Sequence, residues 1–207
     1  MKTFKLHCIR HGITQANLDG TYAGGGLDVP LCAQGVEELQ NLQQKYTYPV
    51  VPVVFSSPMQ RALQTAELLF PHVAEKIVVE DLRENIFGEF EGRKVEELLG
   101  DERFAQWLNP ESGFVPEGGE SGKAFAARTA NALYAIMEYM IKNEIPEAAC
   151  VTHGGVIMSM LSQKGLPQQP PKNWMVKNGC GFTVQTSAAM LMRDGSVELV
   201  QTLPNSR

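Results

Sequence analysis

Short apolar segments alternate along this chain with longer segments of helical periodicity, and no other feature constrains the fold as strongly. Strands are predicted at residues 4–9, 50–55, 77–79 and 148–151, and helices at 34–46, 60–70, 121–143 and 156–163. Strands that alternate with helices usually form a largely parallel sheet whose two faces are covered. We therefore predict an α/β protein, a three-layer α/β/α sandwich with a mostly parallel central sheet.

Residues 85–121 break this alternation. They hold six glycines and two prolines, with only short helical patches at 95–99 and 103–108. Because glycine and proline interrupt regular elements, we interpret this segment as a lid inserted between the third strand and the long helix. A length of 207 residues is close to that of one domain. We therefore expect a single domain over residues 1–207.

Turn and cap signals refine two boundaries. Ser57 and Pro58 are typical of an N-cap and a first helical position, so the second helix is expected to begin there. Near the C-terminus, strands are predicted at 182–186 and 189–193. The pair Asp194-Gly195 is typical of a hairpin turn leading into a further strand at 197–201. These last strands are expected to extend the sheet in antiparallel fashion.

Charge and hydropathy argue against two classes of partner. The chain has 18 Lys and Arg against 23 Asp and Glu, whereas nucleic-acid-binding domains are usually strongly basic. No apolar stretch approaches the roughly 20 residues of a membrane span, and the N-terminus lacks the apolar core of a signal peptide. The four cysteines form no C-x-x-C pair, which favours reduced thiols. We expect a cytoplasmic protein with no nucleic-acid and no membrane partner.

Polar side chains follow each of the four predicted parallel strands. In chain order they are Arg10 and His11, then Ser57 and Arg61, then Glu84, and finally His153 with Gly154-Gly155. The carboxyl ends of parallel strands meet at one edge of a sheet, where ligands bind. We therefore expect two guanidinium groups, two imidazoles and one carboxylate to lie close together.

This set of side chains suits one kind of chemistry. Two guanidinium forks match the oxygens of a phosphate, and a glycine-rich helix start adds N–H groups to an anion site. A neutral histidine can form a covalent intermediate, and a nearby carboxyl can act as general acid. The residues together indicate phosphoryl transfer through a phosphohistidine.

Taken singly, each of these residues has an ordinary structural explanation. An Arg-His pair at a strand end usually lies on the surface, a lone glutamate is usually solvated, and a histidine is often buried in a core. A zinc site at His7, Cys8 and His11 is excluded because neighbouring strand residues point to opposite faces. The aromatic residues at 104, 107 and 114 are interpreted as a core of the lid rather than a ligand cage. Only the ordered set indicates a site.

Six segments, in the same order, resemble motifs of the histidine phosphatase superfamily, also called phosphoglycerate mutase-like. They read RHGITQAN at 10–17, DVPL at 28–31, SSPMQRALQTA at 56–66, LRENIFGEFEG at 82–92, PEGGES at 116–121 and VTHGG at 151–155. The segments span most of the chain, from the first strand to the helix that follows the fourth.

The resemblance implies a role for each matching position. His11 would be the phosphorylated nucleophile and Glu84 the proton donor, later the base for water. The groups that would bind the phosphoryl oxygens or lie near the substrate are Arg10, Arg61 and His153, with Asn17 and the backbone N–H groups of Gly24 and Gly155. No metal and no organic cofactor is implied. The partner would be a small phosphorylated metabolite. The sequence leaves the oligomeric state open, with a homodimer as one alternative.

Three departures from the family pattern bear on the reaction. Ile13 stands where a glutamate is usual, and Cys32 where threonine or serine is usual. Phosphoglycerate mutases have Arg and Tyr soon after the catalytic glutamate, whereas Glu84 is followed by Asn85. We therefore predict a phosphatase of small phosphomonoesters. The alternatives are a mutase of the same superfamily and a non-catalytic regulatory protein that binds a phosphorylated ligand.

Overall fold

The computed structural model describes residues 2–109 and 112–206. The strands are β1 (Thr3–Arg10), β2 (Tyr46–Thr47), β3 (Val53–Ser56), β4 (Glu75–Val78), β5 (Glu147–Thr152), β6 (Gly165–Leu166), β7 (Gly181–Ser187), β8 (Val197–Leu203) and β9 (Asn205–Ser206). The helices are α1 (Gln15–Leu18), α2 (Ala33–Lys45), α3 (Gln60–Leu69), α4 (Val95–Leu98), α5 (Glu102–Leu108), α6 (Gly122–Lys142), α7 (Gly154–Lys164) and α8 (Ala188–Asp194). No helix in these two ranges is long and apolar enough to cross a bilayer.

Seven strands form one mixed sheet in the order β4-β3-β5-β1-β7-β8-β6. The pairs β4-β3, β3-β5, β5-β1 and β8-β6 are parallel, and β7 is antiparallel to both β1 and β8. The predicted α/β fold with a mostly parallel sheet is confirmed. All four strands predicted to precede site residues are parallel neighbours, so their carboxyl ends share one edge.

Alternating strand residues build a core on each face of the sheet. On β1, Leu6 and Cys8 belong to the cluster that packs against α6 and α7. Ile9 belongs to the cluster that packs against α2 and α3. Side chains of successive strand residues point to opposite faces, so both faces of this strand are buried. Helices therefore cover the sheet on both sides, which makes the three predicted layers.

The predicted strand at 189–193 is wrong, and so is the hairpin turn after it. These residues belong to α8, whose N-cap Ser187 accepts a hydrogen bond from the Met190 N–H at 3.3 Å. Alanine, leucine and methionine favour helix. Gly195, with φ of 69°, ends the helix in the left-handed conformation that suits glycine. β8 still pairs antiparallel with β7, but through a helical connection.

Residues 85–121 lie between β4 and α6 and contain α4, α5 and a 3₁₀ turn at Gly88–Phe90. Phe90, Leu98 and Phe104 form a small buried cluster there, separate from the two cores of the sheet. Trp107 and Phe114 are partly buried and pack against it. The aromatic side chains therefore give the segment a core of its own, as predicted.

Candidate active site

His11 follows the end of β1 and is 5 % exposed. Its Nδ1 lies 2.6 Å from the Gly12 carbonyl oxygen. A carbonyl can only accept, so Nδ1 carries the proton and Nε2 carries the lone pair. Burial, together with the nearby charges of Arg61 and Arg10, lowers the pKa of His11 to about 3, although the Gly12 hydrogen bond opposes the shift. The ring is therefore neutral at neutral pH, with an unprotonated Nε2.

His153 is the N-cap residue of α7 and is fully buried. Its Nδ1 lies 3.2 Å from Arg61 Nε, and its Nε2 lies 2.8 Å from Ser57 Oγ. Because a guanidinium only donates, Nδ1 accepts and Nε2 donates to the serine. Burial, followed by the charges of His11 and Arg61, holds the pKa of His153 well below its usual range. The two imidazoles meet edge to face, with ring centroids 5.2 Å apart.

The two arginines are anchored by backbone carbonyls. Arg61, 1 % exposed, donates from Nη1 to Leu27 O and from Nη2 to Gly24 O, both at 3.0 Å. Arg10 donates from Nη1 to Val176 O at 2.9 Å. The buried Nε of Arg10 has no hydrogen-bond partner among the described residues. A buried donor on a cation without an acceptor is suited to an anionic ligand.

Glu84 lies after a 3₁₀ turn at Glu80–Leu82 and is 8 % exposed. Its Oε1 accepts from the Asn85 N–H at 2.9 Å and its Oε2 from the Gly155 N–H at 3.0 Å. Burial raises the pKa of Glu84, although these two hydrogen bonds and the arginine charges oppose that shift. A carboxyl with a raised pKa can hold a proton nearer neutral pH, as a general acid must.

A cavity of about 300 Å³ joins these groups. It is lined, among others, by Arg10, His11, Asn17, Arg61, Glu84 and Gly155. His153 does not line it but lies behind, where it orients Arg61 Nε. Six of the eight residues singled out in the sequence thus surround one space, at the carboxyl edge of the parallel strands.

Two expected backbone donors are already engaged. The Gly24 N–H donates to Glu91 Oε2 at 2.7 Å, and Gly24 is absent from the cavity lining. Its carbonyl instead anchors Arg61. The Gly155 N–H is taken by Glu84, and a Cβ at position 155 would collide with that carboxylate. The structure therefore corrects the expectation that these two N–H groups face the substrate: both hold carboxylates of the protein.

Asn17 lines the cavity, but its Oδ1 accepts from the Thr14 N–H at 3.1 Å and lies 3.4 Å from Asn178 Nδ2. Asn17 and Thr14 form a capping box around α1. Because its oxygen is used inside the protein, the amide nitrogen is the end of Asn17 suited to an anion.

Ser57 has a different role from the predicted N-cap. The helix begins at Gln60, whose N–H donates to Asp28 Oδ1 at 2.8 Å, while Ser57 Oγ binds His153. The position of Ser57 directly after β3 is a signal that could have assigned it to the site. Asn178, which sequence reasoning did not identify, donates to the His11 carbonyl at 2.9 Å.

Two further residues make hydrogen bonds that stabilise the site, one in the segment 85–121 and one in α6. Glu91 accepts from the N–H groups of Gly24, Gly26 and Phe87 at 2.7 to 3.0 Å. Arg128 makes two hydrogen bonds of 2.7 Å to Glu120 and donates to the Glu84 carbonyl at 3.1 Å. The sequence carries no local signal for either role, because each contact spans distant parts of the chain.

Other candidate ligands are held in structural contacts. His7 lies 2.9 Å from Thr183 Oγ1 and 2.8 Å from Glu147 Oε1, inside the sheet. All four cysteines are free thiols. Among residues 2–109 and 112–206, no three His, Cys, Asp or Glu side chains are grouped as metal ligands would be.

The chain is similar to a known protein family and to several known proteins. The histidine phosphatase superfamily (branch 1) matches residues 6–189. The adenosylcobalamin/alpha-ribazole phosphatase of Escherichia coli K12 is 31 % identical over 180 residues, which cover 85 % of this chain and 87 % of that protein. The fructose-2,6-bisphosphatase TIGAR B of Danio rerio is 30 % identical over 172 residues, covering 81 % and 63 %. The crystal structure of the alpha-ribazole phosphatase from Shigella flexneri superposes with a TM-score of 0.78 at 27 % identity, covering 98 % and 96 %.

Proposed function

The chain belongs to the histidine phosphatase superfamily, and from this premise we propose that it hydrolyses small phosphomonoesters through a phosphohistidine on His11. One observation carries the proposal. The His11 ring is neutral, its proton is held on Nδ1 by the Gly12 carbonyl, and its Nε2 lone pair is left for a cavity that two arginines also line.

In the first step, His11 Nε2 attacks phosphorus and the bond from phosphorus to the ester oxygen breaks. Arg10 and Arg61 donate to the phosphoryl oxygens, and the buried Arg10 Nε gains the acceptor that it lacks. Glu84 gives its proton to the leaving alkoxide, which becomes a neutral alcohol. Preorganised donors stabilise the developing charge without reorganisation. The products are phosphohistidine, the alcohol and the Glu84 carboxylate.

In the second step, a water attacks phosphorus from the side that the alcohol has left. The Glu84 carboxylate accepts the proton of that water, and the bond between His11 Nε2 and phosphorus breaks. Inorganic phosphate leaves, His11 returns to its neutral form, and Glu84 is again protonated. The hydrogen bonds from Asn85 and Gly155 keep the same carboxyl in place for both steps.

The two alternatives receive less support. A mutase would need a cationic residue soon after Glu84 to bind the carboxylate of its substrate, and the residue that follows Glu84 is Asn85. A non-catalytic binding protein would not need the buried carboxyl with a raised pKa. The relatives reported above are phosphatases.

Similar proteins are named as phosphatases of alpha-ribazole and of its 5′-phosphate, so alpha-ribazole 5′-phosphate is the first substrate that we would test. The proposal also includes one domain over residues 1–207, with residues 85–121 acting as a lid over the site. We place the protein in the cytoplasm, which its four free thiols support. Light scattering on the purified chain tests for the homodimer.

The test is a phosphate-release screen over sugar phosphates, nucleotides, phosphoamino acids and alpha-ribazole 5′-phosphate. We expect release without any bisphosphate primer, and an acid-labile phosphoenzyme when turnover is quenched. His11→Ala should lose the phosphoenzyme and nearly all release. A phosphoenzyme carried on serine or cysteine would refute the mechanism, and a requirement for a bisphosphate primer would make the protein a mutase.

A further inference from the structure

The backbone N–H of Asn85 holds Glu84, but the proposed reaction has no use for the side chain of Asn85. The residue is 9 % exposed, and its Oδ1 has no hydrogen-bond partner among the described residues. Its neighbour Glu84 is the proposed acid. A buried amide oxygen without a donor costs free energy, so such an atom points to a ligand that supplies the donor.

Asn85 lines a second cavity, of about 990 Å³. Five residues line both this cavity and the smaller one that holds His11, namely Tyr22, Glu84, Phe87, Gly155 and Met158. The two cavities are therefore adjacent and share a wall that includes Glu84. Since the smaller space holds the phosphate-binding groups, the larger one receives the alcohol that leaves.

The walls of the larger cavity are mainly aromatic on one side. Phe87 contacts Tyr22 and Trp107 edge to face, each with ring centroids 5.1 Å apart, and Phe114 packs against the same cluster. Lys123, which is exposed, is the only cation among the described lining residues. Such a wall binds a ring by apolar contact and edge-to-face packing, and it offers little to a carboxylate.

We propose, resting on the phosphatase reaction above, that Asn85 and this aromatic wall select phosphomonoesters of a ring-bearing, hydroxylated alcohol, such as a nucleoside. A hydroxyl close to the ester donates to Asn85 Oδ1, because Asn85 is next to the residue that protonates the ester oxygen. The ring of the alcohol packs against Phe87 and Trp107. Short alcohols such as glycerol reach the phosphate site but leave the wall uncovered.

The first test compares adenosine 5′-monophosphate with its 2′,3′-dideoxy counterpart. The wild-type protein should favour the hydroxylated substrate in kcat/KM by about tenfold, since the dideoxy substrate leaves Asn85 unpaired. Asn85→Ala should reduce this ratio to near one. Asn173→Ala, at an exposed position outside both cavities, is the matched control and should retain it.

The second test compares adenosine 5′-monophosphate with glycerol 3-phosphate. Trp107→Ala should lower the preference for the nucleotide by roughly tenfold, because it removes ring packing and not phosphate contacts. Leu99→Ala changes an apolar residue that is 71 % exposed in the same segment, and it should leave the preference unchanged.

A third test measures binding without turnover. Adenosine 5′-monophosphate and its dideoxy counterpart are titrated into the His11→Ala protein, and the ratio of the two Kd values gives the discrimination by Asn85.

The outcomes separate the two proposals. If the protein hydrolyses phosphomonoesters but shows no preference for the hydroxylated or ring-bearing substrate, the inference is wrong and the phosphatase stands. The same holds if the preference survives Asn85→Ala. If no phosphomonoester is hydrolysed yet the His11→Ala protein binds the hydroxylated ligand more tightly, the reaction is wrong and the subsite stands. Absence of both turnover and discrimination overturns both.

Discussion

The Glu84 carboxylate accepts a hydrogen bond from the Gly155 N–H at 3.0 Å, which ties the proposed general acid to the first turn of α7. His153 is the N-cap of that helix and binds Arg61, so acid and phosphate site share one rigid element. The carboxyl cannot move away from the cavity without breaking this contact. Changes at Glu84 should therefore alter proton transfer without displacing the phosphate.

Glu84→Gln removes the proton that can be transferred and keeps a side-chain oxygen for only one of the two N–H groups, those of Asn85 and Gly155. Alkyl phosphates should slow severely, because an alkoxide leaves poorly without a proton. The leaving group of p-nitrophenyl phosphate is a stable phenolate that needs no proton, so the burst of phenolate in the first turnover should persist. The steady-state rate should be slow, because the second step also needs the carboxylate. Stopped-flow measurement separates the two steps. An equal loss of the burst for alkyl and aryl substrates would show that Glu84 is not the acid.

If Glu84 fails that test, neither Glu89 nor Glu120 of the same segment is placed to act as the acid instead. Glu120 is bound by Arg128 at 2.7 Å, and Glu89 is paired with Arg103 at 2.6 Å. Both carboxylates are engaged in ion pairs away from the cavity lining. A water-mediated proton transfer would then be the mechanism to examine.

Arg61→Ala should lower kcat by roughly a hundred- to thousand-fold, the usual cost of losing one preorganised donor to developing charge. It also removes the donor to His153 Nδ1, so His153 keeps only its contact with Ser57 Oγ. Arg61→Lys should not restore the rate, because an ammonium cannot bind Gly24, Leu27 and phosphate as a fork does. Near-normal turnover by Arg61→Ala would mean that the phosphate site is misassigned.

Arg128 is predicted to be a positioning residue for Glu84. It donates to the Glu84 carbonyl at 3.1 Å and to Arg83 O at 2.7 Å, and it is held by Glu120. Arg128→Ala should lower kcat for alkyl phosphates by about tenfold more than for aryl phosphates, since one to two kcal/mol of charge-assisted bonding is lost around the acid. A purely structural role would slow both substrates equally. Arg193→Ala, at an exposed site, is the matched control.

The lowered pKa of His11 determines the direction in which the free energy of unfolding changes with pH. Its pKa is about 3 in the folded protein and 6.5 when exposed, so between these values the unfolded chain binds a proton that the folded protein does not. The free energy of unfolding therefore falls as pH decreases through this window, by at most about 1.4 kcal/mol per pH unit for this group. His153 acts in the same direction. Glu84 opposes them, because its pKa is raised on folding and its stabilising effect is lost as pH rises.

His11→Ala should make that slope shallower. Urea unfolding from pH 7 down to pH 4 measures it for both proteins. His72→Ala, the same deletion at an exposed position, should retain the wild-type slope. Equal slopes for wild type and His11→Ala would contradict the burial argument.

The strand and helix alternation could be predicted from the sequence because periodicity is local. This alternation also predicted that four site residues lie at one edge of the sheet, because the carboxyl ends of parallel strands meet there. These residues are Arg10, His11, Glu84 and His153. The prediction failed at 189–193, where helix-forming residues between Ser187 and Gly195 outweighed the apparent hairpin signal.

Only the tertiary structure decided the partners of each polar group. The Gly24 N–H binds Glu91, 67 positions away, and Gly155 binds Glu84 across 71 positions. The hydroxyl of Ser57 is turned to His153 and the oxygen of Asn85 is left without a donor. Contacts between distant segments and the loss of water on burial set these pairings and the pKa values of His11 and Glu84, and neither is encoded in any local pattern.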